Sequence, residues 1–448
     1  MKLTIVLSAV IGLVSTVQGI WLDTNNVTNL KEVSAIFAEG LLDYYDGNEY
    51  GGTIGMFTWP YYWWEAGGAW GSLIDYTYYM ENDTFVPLIK QALEYQTGDD
   101  LNYIPLNQST TEGNDDQGFW GLAVMAATEK NFSNPDNKDK HWLALTQAVF
   151  NTMTARWDHK ECHGGLRWQI FQWNSGYDYK NSVSNGCLFN IGARLARYTS
   201  NDTYMEWAEK VWDWMYGIGL LTEGEHWYVY DGVTVGGNCT DITKLQWSYN
   251  QALMLSGCAF LYNYTEDEMW YNRTMRLLSG AQVFFKDDIM YEAACQGSNN
   301  CNQDQRSFKA YFSRLLGLTS VMVLDTEPVI TEWLVASANA AAKNSCTGGS
   351  DWHTCGLNWQ NGTWDGYYGL GEQMCALEVV TNLRVHDLPP PYTANNGGSS
   401  KGNPAGGYAV TNTNSSPLNL DKGDTAGASI ITVIIAASLV GSGVWLIL

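Results

Sequence analysis

Apolar residues return at three- and four-residue intervals through several stretches of the chain. Val33, Ile36, Phe37, Leu41 and Leu42 place one amphipathic helix over about 33–42. A second runs from Trp63 to Met80, where Trp64, Ile74 and Tyr78 are spaced by Gly67, Gly68 and Gly71, and it stops at Glu81-Asn82-Asp83. A third is predicted after Asn114, with Trp120, Val124 and Ala127 in helical register. Similar helix endings recur at Ala126–Asn131, Leu195–Asn201 and Phe260–Thr265, with fainter echoes at Leu315–Asp325 and Ala376–Asn382. Amphipathic stretches follow the middle copies, at Tyr204–Met215 and Met269–Ala281. The repeat is of architecture more than of sequence, with irregular spacing of roughly 50–70 residues. Six helical pairs closed into a ring account for it better than an open solenoid. The expected fold is all-α, an (α/α)6 barrel.

Inner helices of such a ring need small residues for close packing and present polar groups at one mouth. Asn185-Gly186, Tyr249-Asn250-Gln251 and Phe308-Lys309 each stand at an expected inner-helix start. Two readings fit them: a polar cleft floor, or caps that satisfy backbone groups.

Asp115 and Asp116 stand at the same level. Asn114 is a good N-cap and Gln117, three residues on, completes a capping-box-like pair, so both aspartates fall in the first turn. Helix-start acids are favoured by the dipole alone. Two adjacent carboxyls also suit glycoside cleavage, which needs one ionised carboxylate and one protonated carboxyl. Neighbouring α-carbons are about 3.8 Å apart, so the carboxyls can splay to the roughly 5–5.5 Å of retaining enzymes but hardly further. Their mutual repulsion separates their pKa values, giving identical residues different roles.

Composition narrows the rest. A net charge of −23 with only 24 Lys and Arg, unclustered, argues against nucleic acid. The 21 Trp and 27 Tyr favour sugar ligands modestly, because aromatic rings also fill cores. Neither a metal nor any other cofactor motif is present. Residues 1–19 read as a secretory signal, 20–388 as the catalytic domain, 389–425 as a Gly-, Asn-, Ser- and Thr-rich stalk, and 426–448 as a GPI-attachment signal. The apolar tail also has nearly the length of a membrane span, but no basic residue follows it. Ten Asn-x-Ser/Thr sequons, at Asn26, Asn82, Asn107, Asn131, Asn201, Asn238, Asn263, Asn272, Asn361 and Asn414, are candidate glycan sites. Nine cysteines predict disulfides with at least one left over, and Cys295 with Cys301 and Cys346 with Cys355 are the nearest loop pairs.

With these residues in order, the chain resembles glycoside hydrolase family 76, the endo-α-1,6-mannanases, and within it the fungal GPI-anchored cell-wall branch. The resemblance spans roughly Asn29 to Arg384. It is carried by Asn114-Asp115-Asp116-Gln117 with Trp120, Cys162-His163-Gly164-Gly165-Leu166-Arg167-Trp168, Tyr179-Lys180-Asn181 leading to Asn185, and Tyr249-Asn250-Gln251. It implies a retaining mechanism on α-1,6-linked mannose, with Asp115 as nucleophile and Asp116 as acid/base. It makes Trp168, Asn185, Tyr249, Asn250 and Gln251 the candidates for substrate contact. It further implies a donor in the mannose core of GPI-anchored glycoproteins, cell-wall glucan as acceptor, and a place at the outer face of the plasma membrane, held by a GPI lipid. The alternatives are a simple endo-α-1,6-mannan hydrolase and a non-catalytic, anchored carbohydrate-binding protein of the wall.

Overall fold

The computed structural model describes residues 19–350, 353–407 and Thr432. The expected signal segment up to residue 18, the expected anchor signal apart from Thr432, the far half of the expected stalk and the Asn414 sequon lie outside them.

Six helices form an inner ring: α2 (Trp63–Tyr79), α4 (Asn114–Glu129), α6 (Ser182–Thr199), α8 (Ser248–Thr265), α10 (Phe308–Met322) and α12 (Leu370–Thr381), with α12 closing back on α2. Six more pack outside it: α1 (Val27–Leu42), α3 (Val86–Tyr95), α5 (Trp142–Ala155), α7 (Asp202–Gly217), α9 (Glu268–Ala281) and α11 (Glu327–Ala340). The expected (α/α)6 barrel is the fold. Inner helices are buried on every side, whereas α7 and α9 bury only one stripe. Close packing within the ring rests on missing side chains. A Cβ on Gly67 would lie 2.9 Å from the Trp120 indole, and one on Gly118 would lie 2.6 Å from Cys187 Cβ.

The sequence places no strands, yet three short ones, β1 (Tyr179–Asn181), β2 (Tyr230–Thr234) and β3 (Ile242–Gln246), form an antiparallel sheet. They are too short to leave a periodic signal. The Cys162–Cys239 disulfide joins the loop ahead of this sheet to the turn between β2 and β3, alongside Cys295–Cys301 and Cys346–Cys355. Cys187, Cys258 and Cys375 are buried thiols.

The expected stalk needs correction at its start. From Pro389 to Gly407 the chain is a strap bound to the barrel. Tyr392 N–H donates to Glu129 O at 2.8 Å and Ala394 N–H to Tyr198 O at 2.9 Å. Further on, Asn131 Nδ2 donates to Gly397 O at 2.9 Å, Leu143 N–H to Ser400 Oγ at 2.9 Å, and Asn151 Nδ2 to Gly406 O at 2.7 Å. Low apolar content hid this, because the strap is held by hydrogen bonds to backbone and side-chain groups of the barrel more than by apolar burial.

Candidate active site

The start of α4 differs from expectation by one residue. Gly113 is the N-cap, and Asp116 closes the capping turn by accepting its N–H at 2.5 Å. Asn114 and Gln117 are engaged elsewhere. Asn114 Nδ2 donates to Arg167 O at 2.9 Å, its Oδ1 accepts from Arg156 Nε at 2.7 Å, and its N–H donates to Trp168 O at 2.8 Å. Gln117 Nε2 donates to Asn102 O at 2.7 Å and Thr152 Oγ1 at 2.8 Å, and its Oε1 accepts from Arg156 Nη2. These stronger partners free the cap position for glycine. They also lash the helix start to the 165–168 loop, which fixes both aspartates.

Asp115 and Asp116 open into a cavity of about 570 Å³. Its walls include Tyr62, Trp64, Glu112, Phe119, Trp168, Gln169, Tyr179, Asn181, Asp231, Trp247, Tyr249, Asn302, Asp304 and Phe308. Five of the lining side chains are carboxyls, Glu112, Asp115, Asp116, Asp231 and Asp304, and none is Lys, Arg or His. Burial raises their pKa values. Asp115 stands well above the usual carboxylate range through desolvation and then the charge of Asp116, and the helix-start amides offset only part of this. Its Oδ1 has no hydrogen-bond partner. Asp116 is raised to about 6 by burial, against the Gly113 N–H that favours its charge. The pair therefore holds a proton at pH values where exposed aspartates have lost theirs, and it titrates as a unit. Glu112, 2 % exposed, has neither carboxyl oxygen hydrogen-bonded, and burial holds it well above its ordinary value. Asp231 accepts from Tyr179 Oη at 2.5 Å and Trp247 Nε1 at 2.9 Å, and Asp304 accepts from Trp64 Nε1 at 3.2 Å.

The expected contact residues separate. Trp168 and Tyr249 line the cavity with the aspartates. Trp168 lies on Gly176, where a Cβ would come within 2.3 Å of the indole, and it is 37 % exposed. Tyr249 stacks on Phe308, with centroids 3.8 Å apart. Asn185, Asn250 and Gln251 are not in the lining. Asn185 is fully buried; its Nδ2 donates to Leu166 O at 3.1 Å and Asn181 O at 2.8 Å, and its Oδ1 accepts from Leu166 N at 2.8 Å. Gln251 Nε2 donates to Trp227 O and Leu277 O at 2.8 and 2.7 Å, and its Oε1 accepts from Val229 N at 3.1 Å. Asn250 is buried with neither side-chain polar atom hydrogen-bonded. For Asn185 and Gln251 the cap-like reading describes the contacts. Lys309, also at an inner-helix start, points away from the cavity: its Nζ donates to Leu357 O and sits 3.7 Å from the Trp359 ring centroid.

Sequence reasoning missed Glu112, Asp231, Trp247 and Asp304 as site residues. Glu112 and Trp247 had a signal, since each immediately precedes an inner-helix start already singled out. Asp231 and Asp304 had none, because they reach the cavity from loops and strands of no distinctive sequence. Among the described residues, no three or more His, Cys, Asp or Glu side chains are gathered to hold a metal ion.

The sequence profile described as Glycosyl hydrolase family 76 matches residues 29–395. The chain belongs to that family. Mannan endo-1,6-alpha-mannosidase DCW1 of Candida albicans is 71% identical over 435 residues, covering 96% of each chain. The Saccharomyces cerevisiae protein of the same name is 60% identical, covering 95% of each. The crystal structure of Dfg5 from Chaetomium thermophilum, in complex with glucosamine, is 40% identical with a TM-score of 0.83, covering 87% of this chain and 98% of that one. An inactive variant of an α-1,6-mannanase from Salegentibacter, bound to α-1,6-mannotriose, has the same fold at 16% identity, with a TM-score of 0.65 over 80% of this chain and 99% of that one.

Proposed function

We propose that this family 76 member is a retaining glycosidase and transglycosidase acting on α-1,6-linked mannose, which cuts the mannose core of GPI-anchored glycoproteins and transfers them to cell-wall glucan. The observation that carries the reading is the adjacent Asp115–Asp116 pair, open to an aromatic-walled cavity, in a chain 71% identical to a mannan endo-1,6-alpha-mannosidase. In the first step a carboxylate oxygen of Asp115 bonds to the anomeric carbon as the glycosidic C–O bond breaks, and the proton of Asp116 goes to the departing oxygen. In the second, an incoming hydroxyl gives its proton to Asp116, its oxygen bonds to the anomeric carbon, and Asp115 leaves as carboxylate. Two inversions give net retention.

These roles require charge on Asp115 and a proton on Asp116. The Gly113 N–H favours the reverse in the free protein. Donor binding, which brings the glycosidic oxygen to Asp116, moves the proton across the pair. The second step needs only a hydroxyl beside Asp116, so a sugar acceptor serves as well as water. A GPI lipid at the outer face of the membrane, which the C-terminal sequence favours, keeps the enzyme beside both donor and wall.

The test is NMR of the first-formed product from an α-1,6-mannoside, with and without a glucan oligosaccharide. The reading expects α-configured mannose at the cut end and a transfer product when acceptor is present. A β-configured first product contradicts the mechanism, and hydrolysis alone at high acceptor concentration contradicts transfer.

A further inference from the structure

One aromatic platform outside the cavity is unused by the chemistry above. Between the wall residue Gln169 and β1, the loop carries Phe171 and Trp173, stacked with centroids 5.0 Å apart and planes 19° from parallel. Trp173 is 57 % exposed, although its large ring carries a big apolar surface that burial would favour. Its Nε1 donates to Thr110 O at 3.2 Å, so its polar edge is satisfied and its orientation fixed. The residues that follow Thr110, Thr111 and Glu112, line the cavity. The platform is therefore continuous with the mouth, on the side where the 165–168 loop meets the start of α4. Phe171 covers one face of the indole, and the exposed remainder is a flat apolar surface with no hydrogen bond to offer.

We infer that Trp173, backed by Phe171, is an outer subsite for a β-linked glucan chain leading away from the cavity. The choice of sugar follows from ring shape. A β-linked glucopyranose carries all its substituents equatorially and presents a flat C–H face to an indole. An α-linked mannopyranose has axial oxygens at its first and second carbons, which spoil such a face. The absence of charged groups in the stacked pair suits a neutral polymer. The ligand's identity as acceptor rests on the transfer reading, but binding at the platform is measurable without turnover.

The experiment therefore uses Asp115→Asn protein, which cannot form the glycosyl-enzyme, and calorimetric titration with laminarihexaose, a β-1,3-linked glucose hexamer. Trp173→Ala in that background is expected to weaken binding at least tenfold, and Trp173→Phe to restore most of it. Laminaribiose, too short to span cavity and platform, should lose much less. Equal affinity for the hexamer with and without the indole overturns the inference. So does a matching loss for α-1,6-mannotriose, which would put the platform on the donor side. If the hexamer binds through Trp173 while Asp115-intact protein only hydrolyses, the subsite stands and the transfer step fails.

Discussion

One set of buried carboxylates lies towards the C-terminal ends of the inner helices and another lines the cavity, and these two sets are treated in opposite ways. Away from the cavity, Asp75 lies 3.1 Å from Lys130 Nζ and 3.2 Å from Arg314 Nε, Glu378 accepts from Arg314 Nη2 at 2.5 Å, and Glu129 from Arg194 Nη2 at 2.6 Å. These pairs tie α2, α4, α6, α10 and α12 together across the ring. At the mouth, Glu112, Asp115, Asp116, Asp231 and Asp304 share one cavity with no cationic side chain in its lining. Arg156 lies beneath them, but its guanidinium is spent on the amides of Asn114 and Gln117. A buried charge is tolerated when paired and otherwise holds its proton. The paired set therefore frames the barrel, and the unpaired set keeps its protons to higher pH than exposed carboxyls do.

The largest effect that separates the two sets is on turnover. Asp116→Asn should lower kcat by about 10²–10⁴-fold, the range of a lost general acid, and Asp115→Asn should lower it further, since no nucleophile remains. Thermal stability of both should equal or exceed that of the unaltered protein, because removing one member relieves like-charge repulsion. Steady-state kinetics beside thermal melting checks this; a variant that melts early would move the pair into the frame.

Arg314→Met should do the reverse. It strands Glu378 and leaves Asp75 with Lys130 alone, and breaking such a buried pair costs about 3–5 kcal/mol. Urea unfolding should show a lower midpoint, and an unchanged midpoint would deny the frame its role.

Asn185→Ala tests the boundary between frame and site. Loss of its buried bonds to Leu166 and Asn181 should reduce stability by about 1–3 kcal/mol. The 165–168 loop would loosen and activity fall through it. Trp168→Ala, with its exposed indole, should raise KM severalfold and leave the melting temperature nearly unchanged. If Asn185→Ala raised KM with no loss of stability, the asparagine would belong to the sugar site.

The smallest effect is on pH dependence. Asp116, at about 6 in the folded protein against an ordinary 3.8, keeps a proton between these values that the unfolded chain has lost. Its contribution to stability is full below about pH 4 and is lost as pH rises through 6. The melting-temperature gain from Asp116→Asn should therefore be greater at pH 7 than at pH 4, by a few degrees for a domain of this size. An equal gain at both would contradict the shift.

The parts legible in sequence were those written in short-range pattern. The inner helices were readable where small residues such as Gly67, Gly68 and Gly71 interleave with large apolar residues at helical spacing. Asp115 and Asp116 were readable because they are adjacent and stand at a helix start. Asp231 and Asp304 were not, because tertiary contacts alone bring them to the cavity, each oriented by an indole N–H from a distant segment. Asn185 and Gln251 misled for a related reason: a polar residue at an inner-helix start looks the same in sequence whether it faces the cleft or bonds the backbone behind it. The strap from Pro389 to Gly407 was invisible because its order comes from the partners supplied by Glu129, Asn131, Leu143 and Asn151.

The central claim is that Asp115 attacks the sugar. Intact-protein mass spectrometry after brief exposure to a mannosyl donor with an activated leaving group tests it most directly, with Asp115→Asn beside the unaltered protein. The account predicts a covalent mannosyl adduct on the unaltered protein that maps to Asp115 and is missing from the variant. An adduct that persists in Asp115→Asn, or none with any donor that demonstrably binds, would contradict it.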